Sequence, residues 1–284
     1  MSLMRQLRRK ASRSPLRTPL IWVRHLGLKP EDVFVASYPR SGSTWLRFLL
    51  LELLTRNAAH FDSVNRTIPD IGRHRGCPAI LPGGARLIKT HEAYRSDYGK
   101  AVYIVRDVRD VLPSEFAYEN ARQRIGEDFD AFLTLFLTST VNGYGSWQDH
   151  VASWLDSPLE SAGQLLLVKF EDLRAHTEDT LEQVLDFLGL PADRARIRQV
   201  IANNNVQRMR EKENQMLDID GLSPQRANGN GNGSRFVGSG PVGGWRHKFT
   251  DAQVHRIKQH AGFSLARLGY PLETCPVTVG EPLG

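Results

Sequence analysis

Short apolar runs alternate along the chain with longer amphipathic stretches. Continuous apolar character over four to seven residues predicts strands buried on both faces of a parallel sheet, at 32–37, 86–90, 101–105 and 164–170. Apolar residues at helical spacing predict helices at 44–54, 107–120, 128–138, 145–155, 171–188, 192–213 and 250–268. This alternation predicts an α/β fold with a central parallel β-sheet flanked by helices.

Two stretches lack such periodicity. Residues 57–85 are rich in Gly, Pro, Asn and Arg, and residues 220–244 contain eight glycines. We interpret both as loops, the second one mobile, and loops of this kind often carry substrate contacts. We therefore expect a leader at 1–30, one domain at 31–270 and a tail at 271–284.

Charge distinguishes the leader from the rest of the chain. The chain of 284 residues has a net charge of +6, yet residues 1–30 contain eight Lys or Arg and no Asp or Glu, so the other residues sum to −2 (+6 minus +8). A solvated, partly frayed N-terminus is the interpretation we favour. A membrane-surface or polyanion-binding arm and a transit peptide stay open as alternatives.

The sequence also bears on localisation and metal content. The leader lacks the apolar segment of a secretory signal, so a cytoplasmic protein is expected. Because Cys77 and Cys275 have no CxxC partner, neither a metal site nor a disulfide framework is expected.

The stretch VFVASYPRSGSTWLRFLL (33–50) predicts a strand, a tight turn and a helix. Unpaired backbone N–H groups and the helix dipole make such a helix start an anion site. Gly42 permits close approach of the backbone, Ser43 and Thr44 add hydroxyl donors, and Arg40 adds a cation. The alternative is an ordinary turn in which Ser43 or Thr44 only caps the helix.

The stretch VYIVRDVRDVLPSEF (102–116) adds a second candidate anion site. A predicted strand delivers Arg106, and the following helix presents Ser114 eight residues later. Open α/β folds bind ligands beyond the carboxyl ends of their strands, where both residues are expected to lie. The alternative is a surface ion pair between Arg106 and Asp110.

The combination of YPRSGSTW with RDVRDVLPS resembles the two signature loops of the PAPS-dependent sulfotransferases, and the resemblance extends over about 31–270. It implies a cytosolic-type, bacterial-like member with a P-loop-like strand-loop-helix. It also implies transfer of sulfuryl from 3′-phosphoadenosine 5′-phosphosulfate (PAPS), with adenosine 3′,5′-bisphosphate (PAP) as product. The expected acceptor is a hydroxyl or amine of a small molecule or glycan. Neither nucleic-acid binding nor stable membrane insertion is expected. The oligomeric state stays open.

The resemblance also implies roles for individual residues. Catalytic roles fall on His91 as base and on Arg40 and Lys89 as cations. Residues expected to bind the nucleotide are Arg40, Ser41, Gly42, Ser43, Thr44, Trp45, Arg106, Ser114, Phe170, Val206, Ser239 and Gly240. Among these, Ser43 and Thr44 match 5′-phosphate ligands, Arg106 and Ser114 match 3′-phosphate ligands, and Trp45 matches an aromatic residue that stacks on adenine.

Three features of the sequence depart from the family pattern: two single residues and one triplet. Arg40 replaces a lysine, and a fork-shaped cation does not copy a point charge. Val206 stands where a phenylalanine is usual. Gly238, Ser239 and Gly240 replace an Arg-Lys-Gly triplet before GGWRHKFT, where Arg235 could substitute.

Sulfuryl transfer, like phosphoryl transfer, depends on positioning and on neutralising charge. His91 is the expected base and Glu92 the reserve candidate. His150 is expected to be solvated, as are His247, His255 and His260. The aromatic residues at 94, 116, 118 and 147 are expected either to line an acceptor pocket or to belong to the core. Two other functions stay open: a nucleotide-dependent kinase with a divergent phosphate loop, and a non-catalytic polyanion-binding protein.

Overall fold

The computed structural model describes residues 17–120, 128–138, 141–219, 237 and 241–272. The strands are β1 (Val33–Ser37), β2 (Leu87–Thr90), β3 (Lys100–Val105) and β4 (Leu165–Lys169). The helices are α1 (Arg17–His25), α2 (Ser43–Thr55), α3 (Phe61–Thr67), α4 (Val108–Asn120), α5 (Phe129–Leu137), α6 (Trp147–Leu155), α7 (Pro158–Ser161), α8 (Phe170–Ala175), α9 (Thr177–Phe187), α10 (Arg194–Asn203), α11 (Val206–Ile219) and α12 (Asp251–Arg267). Short 3₁₀ turns cover Pro82–Gly84 and Gly244–His247.

The four strands form one parallel sheet in the order β2-β1-β3-β4. β1 pairs with β2 from Val33↔Leu87 to Ala36↔Thr90 and with β3 from Val33↔Lys100 to Ser37↔Ile104. The predicted α/β fold with a central parallel sheet is therefore confirmed.

Successive residues of β1 enter different cores on the two faces of the sheet. Phe34 and Ala36 belong to a hydrophobic cluster with Trp154, whereas Val33 and Val35 belong to one with Leu46. All five residues of β1 are buried. Burial on both faces explains why the strands read in the sequence as unbroken apolar runs.

The strand order places a topological switch at β1. The chain goes from β1 to β2 on one side and then returns to β3 on the other side. The segments that follow these three strands meet at the carboxyl edge of the sheet, the usual ligand position in open α/β folds.

Several predicted elements need correction. Residues 17–25 of the leader form a helix rather than a frayed segment, held by a 2.6 Å contact between His25 Nε2 and Tyr98 Oη. Helix α3 lies inside the predicted loop 57–85. The predicted helix 171–188 is two helices, because His176 has a non-helical backbone (φ −130°, ψ 53°), and the predicted helix 192–213 breaks at Asn204. The loop predicted at 220–244 lies outside the described residues except at Val237 and from Pro241 onward.

Within the described ranges, none of the helices combines the length and the apolar character that crossing a bilayer requires.

A buried ion pair fixes the entry to β1. Arg86 donates to Asp32 through Nε (2.8 Å) and Nη2 (2.6 Å), and the two side chains are only 8% and 0% exposed. Asp32→Ala should lower the free energy of unfolding by about 3–5 kcal/mol, because it removes the carboxylate that pairs with a buried guanidinium and leaves two backbone carbonyls as acceptors. Urea unfolding measures this loss.

Asp62→Ala is the matched control. Its pair with Arg66 spans 2.7 Å, but both side chains are about three-quarters exposed (74% and 78%). Water screens such a pair, so the loss should stay below about 1 kcal/mol. Equal losses in the two variants would contradict the importance assigned to burial.

Candidate active site

The turn between β1 and α2 is a backbone cradle whose shape requires a glycine. Gly42 has φ 99°, and a Cβ placed there would lie 2.4 Å from Cδ2 of Phe170. Helix α2 begins at Ser43 without a side-chain cap, so its first N–H groups remain available to an anion. Ser41 is fully buried and its Oγ has no hydrogen-bond partner. Among the predicted hydroxyl donors, Ser43 is buried and Thr44 is half-buried.

Arg40 connects the two signature loops. It adopts a left-handed backbone (φ 67°), and its Nε donates to Ser114 Oγ at 3.0 Å. Its guanidinium also lies 4.8 Å from the ring centre of Tyr118. The side chains of the two loops are thus in direct contact before any ligand is considered.

Arg106 is a buried cation bonded to backbone carbonyls. Its Nη1 and Nη2 donate to the carbonyl oxygens of Arg40 (3.3 Å) and Pro241 (3.0 Å), and its Nε is buried without a partner. Burial lowers the pKa of Arg106, while Asp110 and Glu171 act against that shift. An unpaired, buried guanidinium N–H is suited to an anion such as a phosphate.

Asp110 is bonded elsewhere, which corrects the alternative of an Arg106–Asp110 ion pair. Its carboxylate accepts from the backbone N–H groups of Gly243 (2.7 Å) and Trp245 (3.0 Å). These two hydrogen bonds anchor residues 243–245 (GGW) to α4 and hold Pro241 next to Arg106. Ser239 and Gly240, and also Gly238 and Arg235, lie outside the described residues.

The residues predicted to contact adenine surround the start of α2. Trp45 and Phe170 meet edge to face with ring centres 6.5 Å apart, and Trp45 Nε1 donates to Asn204 O at 2.8 Å. Phe170 also lies 4.5 Å below the Arg106 guanidinium. Val206 is half-buried at the first position of α11, two residues after Asn204.

His91 is tethered in a way that defines its tautomer. Its Nδ1 lies 2.7 Å from Ser37 O, and because a carbonyl only accepts, Nδ1 carries the proton. The lone pair therefore resides on Nε2. Burial and the nearby Lys89 charge lower the pKa of His91 to about 3, so the ring is neutral at pH 7.

Lys89 lies two residues before His91 and is paired with Asp70, a carboxylate in the region predicted to be a loop and not among the predicted site residues. Its Nζ lies 2.7 Å from Asp70 Oδ1. Burial lowers the pKa of Lys89, and Asp70 partly reverses this. Burial alone would raise the pKa of Asp70, but the charges of Lys89 and Arg47 outweigh it and hold that pKa well below its usual range.

Glu92 faces away from the position expected of a base. It is 3% exposed and pairs with Arg24 of α1 at 2.9 Å. Because this carboxylate is buried and bonded to Arg24, it is not exposed to an acceptor, and the reserve assignment of Glu92 as base is not supported.

His150 is a structural residue that the sequence analysis misjudged. It was expected to be solvated, but it is 1% exposed. Its Nε2 donates to His91 O (3.1 Å) and its Nδ1 accepts from Tyr103 Oη (3.0 Å). Burial lowers the pKa of His150 to about 4, which keeps it neutral. The sequence does contain a signal for the burial of His150, because this residue falls between Trp147 and Trp154 on the apolar face of a predicted helix.

The aromatic residues proposed for a pocket divide between two environments. Trp147 is fully buried and Phe116 packs against the same core. Tyr94 lies against Trp154, and Tyr118 lies against Arg40. Tyr144, outside that set, is the aromatic neighbour of His91, with ring centres 5.6 Å apart.

A family model described as a sulfotransferase domain matches residues 30–269. The chain belongs to the sulfotransferase family. Mouse sulfotransferase 2A1 is 28% identical over 241 residues, covering 80% of this sulfotransferase and 81% of the relative. Rat sulfotransferase 1A1 is 26% identical over 252 residues, covering 81% and 83%. These relatives are mammalian, so the expectation of a bacterial-like member is not supported.

Solved structures share the fold of this sulfotransferase. Mouse sulfotransferase SULT7A1 complexed with PAP has a TM-score of 0.65 and 22% identity and covers 86% of each chain. Retinol dehydratase in complex with androsterone and inactive cofactor PAP has a TM-score of 0.68 and 19% identity, covering 86% of this chain and 83% of its own.

Gly42→Ala should weaken PAP binding by about tenfold or more. The new Cβ would push against Phe170, and positive φ adds strain of roughly 1 kcal/mol. Isothermal titration with PAP measures the effect. The matched control is Gly163→Ala, which has φ 65° but open space around the added Cβ. That variant should lose stability and keep its PAP affinity; equal loss of affinity in both would contradict the cradle.

His150→Phe should lower kcat by about 10- to 100-fold at unchanged PAP affinity, because His91 O loses the donor that orients its loop. Tyr103→Phe is the control, since it removes the far partner of His150 and leaves the bond to His91 intact. Its kcat should fall much less. Loss of PAP affinity in His150→Phe, or equal kcat losses in the two variants, would show general destabilisation instead.

Proposed function

We propose that this sulfotransferase transfers the sulfuryl group from PAPS to a hydroxyl or amine of a small-molecule or glycan acceptor. One observation carries the proposal: the uncapped start of α2, the unpaired Nε of Arg106 and the tethered His91 converge on one edge of the sheet. The family match supports the reaction class, and PAP is the nucleotide in both fold neighbours named above.

The residues fit a ligand with two phosphate positions. The start of α2 with Ser41, Ser43 and Thr44 is assigned to the 5′-phosphosulfate. Arg106 and Ser114 are assigned to the 3′-phosphate, because Arg106 has an unsatisfied donor and the sequence resemblance matches both residues to 3′-phosphate ligands. Trp45 and Phe170, with Val206 nearby, are assigned to adenine. Ser239 and Gly240 stay predictions for the 3′-phosphate side.

The chemistry follows from the proton and charge positions of the protein. His91 Nε2 takes the acceptor proton as the acceptor oxygen or nitrogen bonds to sulfur. The bond from sulfur to the bridging oxygen breaks in line, and its electrons go to the leaving phosphate. Arg40 and Lys89 offset that charge, together with the N–H groups at the start of α2.

The acceptor class is the least constrained part of the proposal. Retinol dehydratase was solved with androsterone or with retinol, which supports a small-molecule acceptor. The domain spanning 31–270 stays a prediction, which the family match over 30–269 supports. Cytoplasmic localisation stays a prediction; Cys77 is a free cysteine, and Cys275 lies outside the described residues.

The test is transfer of ³⁵S from labelled PAPS to a panel of phenols, sterols, amines and glycans. Wild type should label at least one acceptor.

His91→Ala should reduce turnover by about 10²–10⁴-fold while keeping PAP affinity, because only the base is lost. Arg106→Gln should weaken PAP binding. The exposed Arg198→Gln is the control for charge and should behave as wild type.

NMR of ¹⁵N-labelled histidine adds a pH readout on the free protein. Because the pKa of His91 is lowered, its ring should keep the Nδ1–H tautomer as pH falls from 8 to 5, whereas an ordinary histidine gains a proton near pH 6.5. Full activity of His91→Ala would overturn its assignment as base, whereas protonation of His91 near pH 6.5 would contradict the burial that lowers its pKa. Transfer of phosphate from labelled ATP with Mg²⁺, without sulfuryl transfer from PAPS, would favour the kinase alternative.

A further inference from the structure

Helix α1 has its apolar side facing solvent. Leu20, Trp22 and Val23 are 40%, 61% and 52% exposed, and Pro19 beside them is exposed as well. At about 100° per residue, these four positions cover an arc of roughly 160° on one side of the helix. Surface helices ordinarily present the opposite arrangement, with polar residues outward and apolar residues toward the core.

The inward side of α1 is held by polar contacts. Arg24 donates to Glu92 Oε1 at 2.9 Å and to Ile71 O at 3.0 Å. His25 is 7% exposed and contacts Tyr98 Oη. These bonds fix the rotation of the helix about its axis, so the outward direction of Trp22 follows from its packing.

Positive charge is concentrated in the part of the sequence that contains α1. Residues 1–30 contain eight Lys or Arg and no acidic residue. Arg75, from the loop after α3, donates to Leu26 O at 3.1 Å beside the end of α1. The acidic side chains nearby pair with cations: Asp97 with Arg95 at 3.0 Å, Glu31 with Lys29 at 3.9 Å and Glu92 with Arg24 at 2.9 Å. The excess positive charge therefore comes from the other six Lys and Arg of residues 1–30.

We propose that α1 and the basic leader dock this protein on the surface of an anionic bilayer. An exposed apolar stripe with a tryptophan, flanked by Lys and Arg, is the composition of a helix that lies in the membrane interface. Acidic lipid head groups complement the leader, while Leu20, Trp22 and Val23 enter the boundary between head groups and acyl chains. Nine residues of helix span only about 14 Å, so α1 lies on the bilayer and does not cross it.

Charge also argues against a second copy as the occupant of this face. Two copies meeting through α1 would bring two leaders of charge +8 together, which like-charge repulsion opposes. An anionic bilayer has the opposite sign and an apolar layer at the required depth.

The experiment is flotation of the full chain with vesicles of phosphatidylcholine alone or with 30% phosphatidylserine, in low and high salt. The expected result is binding only to the acidic vesicles, weakened by salt. Leu20→Ser/Trp22→Ser/Val23→Ser should lower the partition coefficient at least about tenfold. Phe263→Ser, which removes an apolar side chain that is 79% exposed on α12, is the matched control and should bind as wild type.

Trp22 supplies a direct readout of insertion, because Trp147, Trp154 and Trp245 are buried and the half-buried Trp45 packs against Phe170 at the start of α2. Brominated acyl chains should quench the emission of wild type and leave that of Trp22→Phe nearly unchanged. PAP affinity should be unaffected in every variant, which separates docking from the proposed function.

Each of four other outcomes would overturn the proposal. These are absence of binding to the acidic vesicles, undiminished binding of the triple variant, binding to heparin without binding to vesicles, and self-association lost in the triple variant. The third result would indicate a polyanionic glycan as partner, and the fourth a second copy of this chain.

Discussion

The parallel pairing of β1 with β3, kept in register to the last residue of β1, is the constraint on which the site depends. Ser37 lies opposite Ile104, so the chain leaves both strands at the same height. Arg40 and Arg106 then follow within three residues, close enough for Arg106 to bond the carbonyl of Arg40. Pairing of β2 on the other side of β1 brings His91 against Ser37 O. The cradle, the second cation and the expected base thus reach one edge because three strands end there together.

Arg106 is held by neutral partners. It bonds the backbone carbonyls of Arg40 and Pro241. A carbonyl orients a guanidinium without neutralising it, so the positive charge of Arg106 stays available to a phosphate. Asp110, the carboxylate best placed to neutralise Arg106, instead accepts two backbone N–H groups from Gly243 and Trp245. Lys89 differs, because its partner Asp70 is charged.

The histidines His91 and His150 at this edge both have neutral rings at pH 7. His91 is kept neutral by burial and by Lys89, and the Ser37 carbonyl selects its tautomer. His150 links His91 to the sheet, because it bonds both the hydroxyl of Tyr103 in β3 and the backbone carbonyl of His91. The ring and the backbone of His91 are thus both oriented by bonds that lead back to the sheet.

The sequence by itself determined the features that depend on neighbouring residues. Apolar runs located all four strands, Gly42 with Ser43 and Thr44 indicated the anion cradle, and Arg106 with Ser114 indicated a second phosphate position. Only the tertiary structure decided the partners of Asp110, Lys89 and His150, which lie 133, 19 and 59 residues away in the chain. It also decided that α1 turns its apolar side outward. Local spacing specifies backbone conformation, whereas these pairings depend on which elements pack together, and packing at long range leaves no periodic signal in a single sequence.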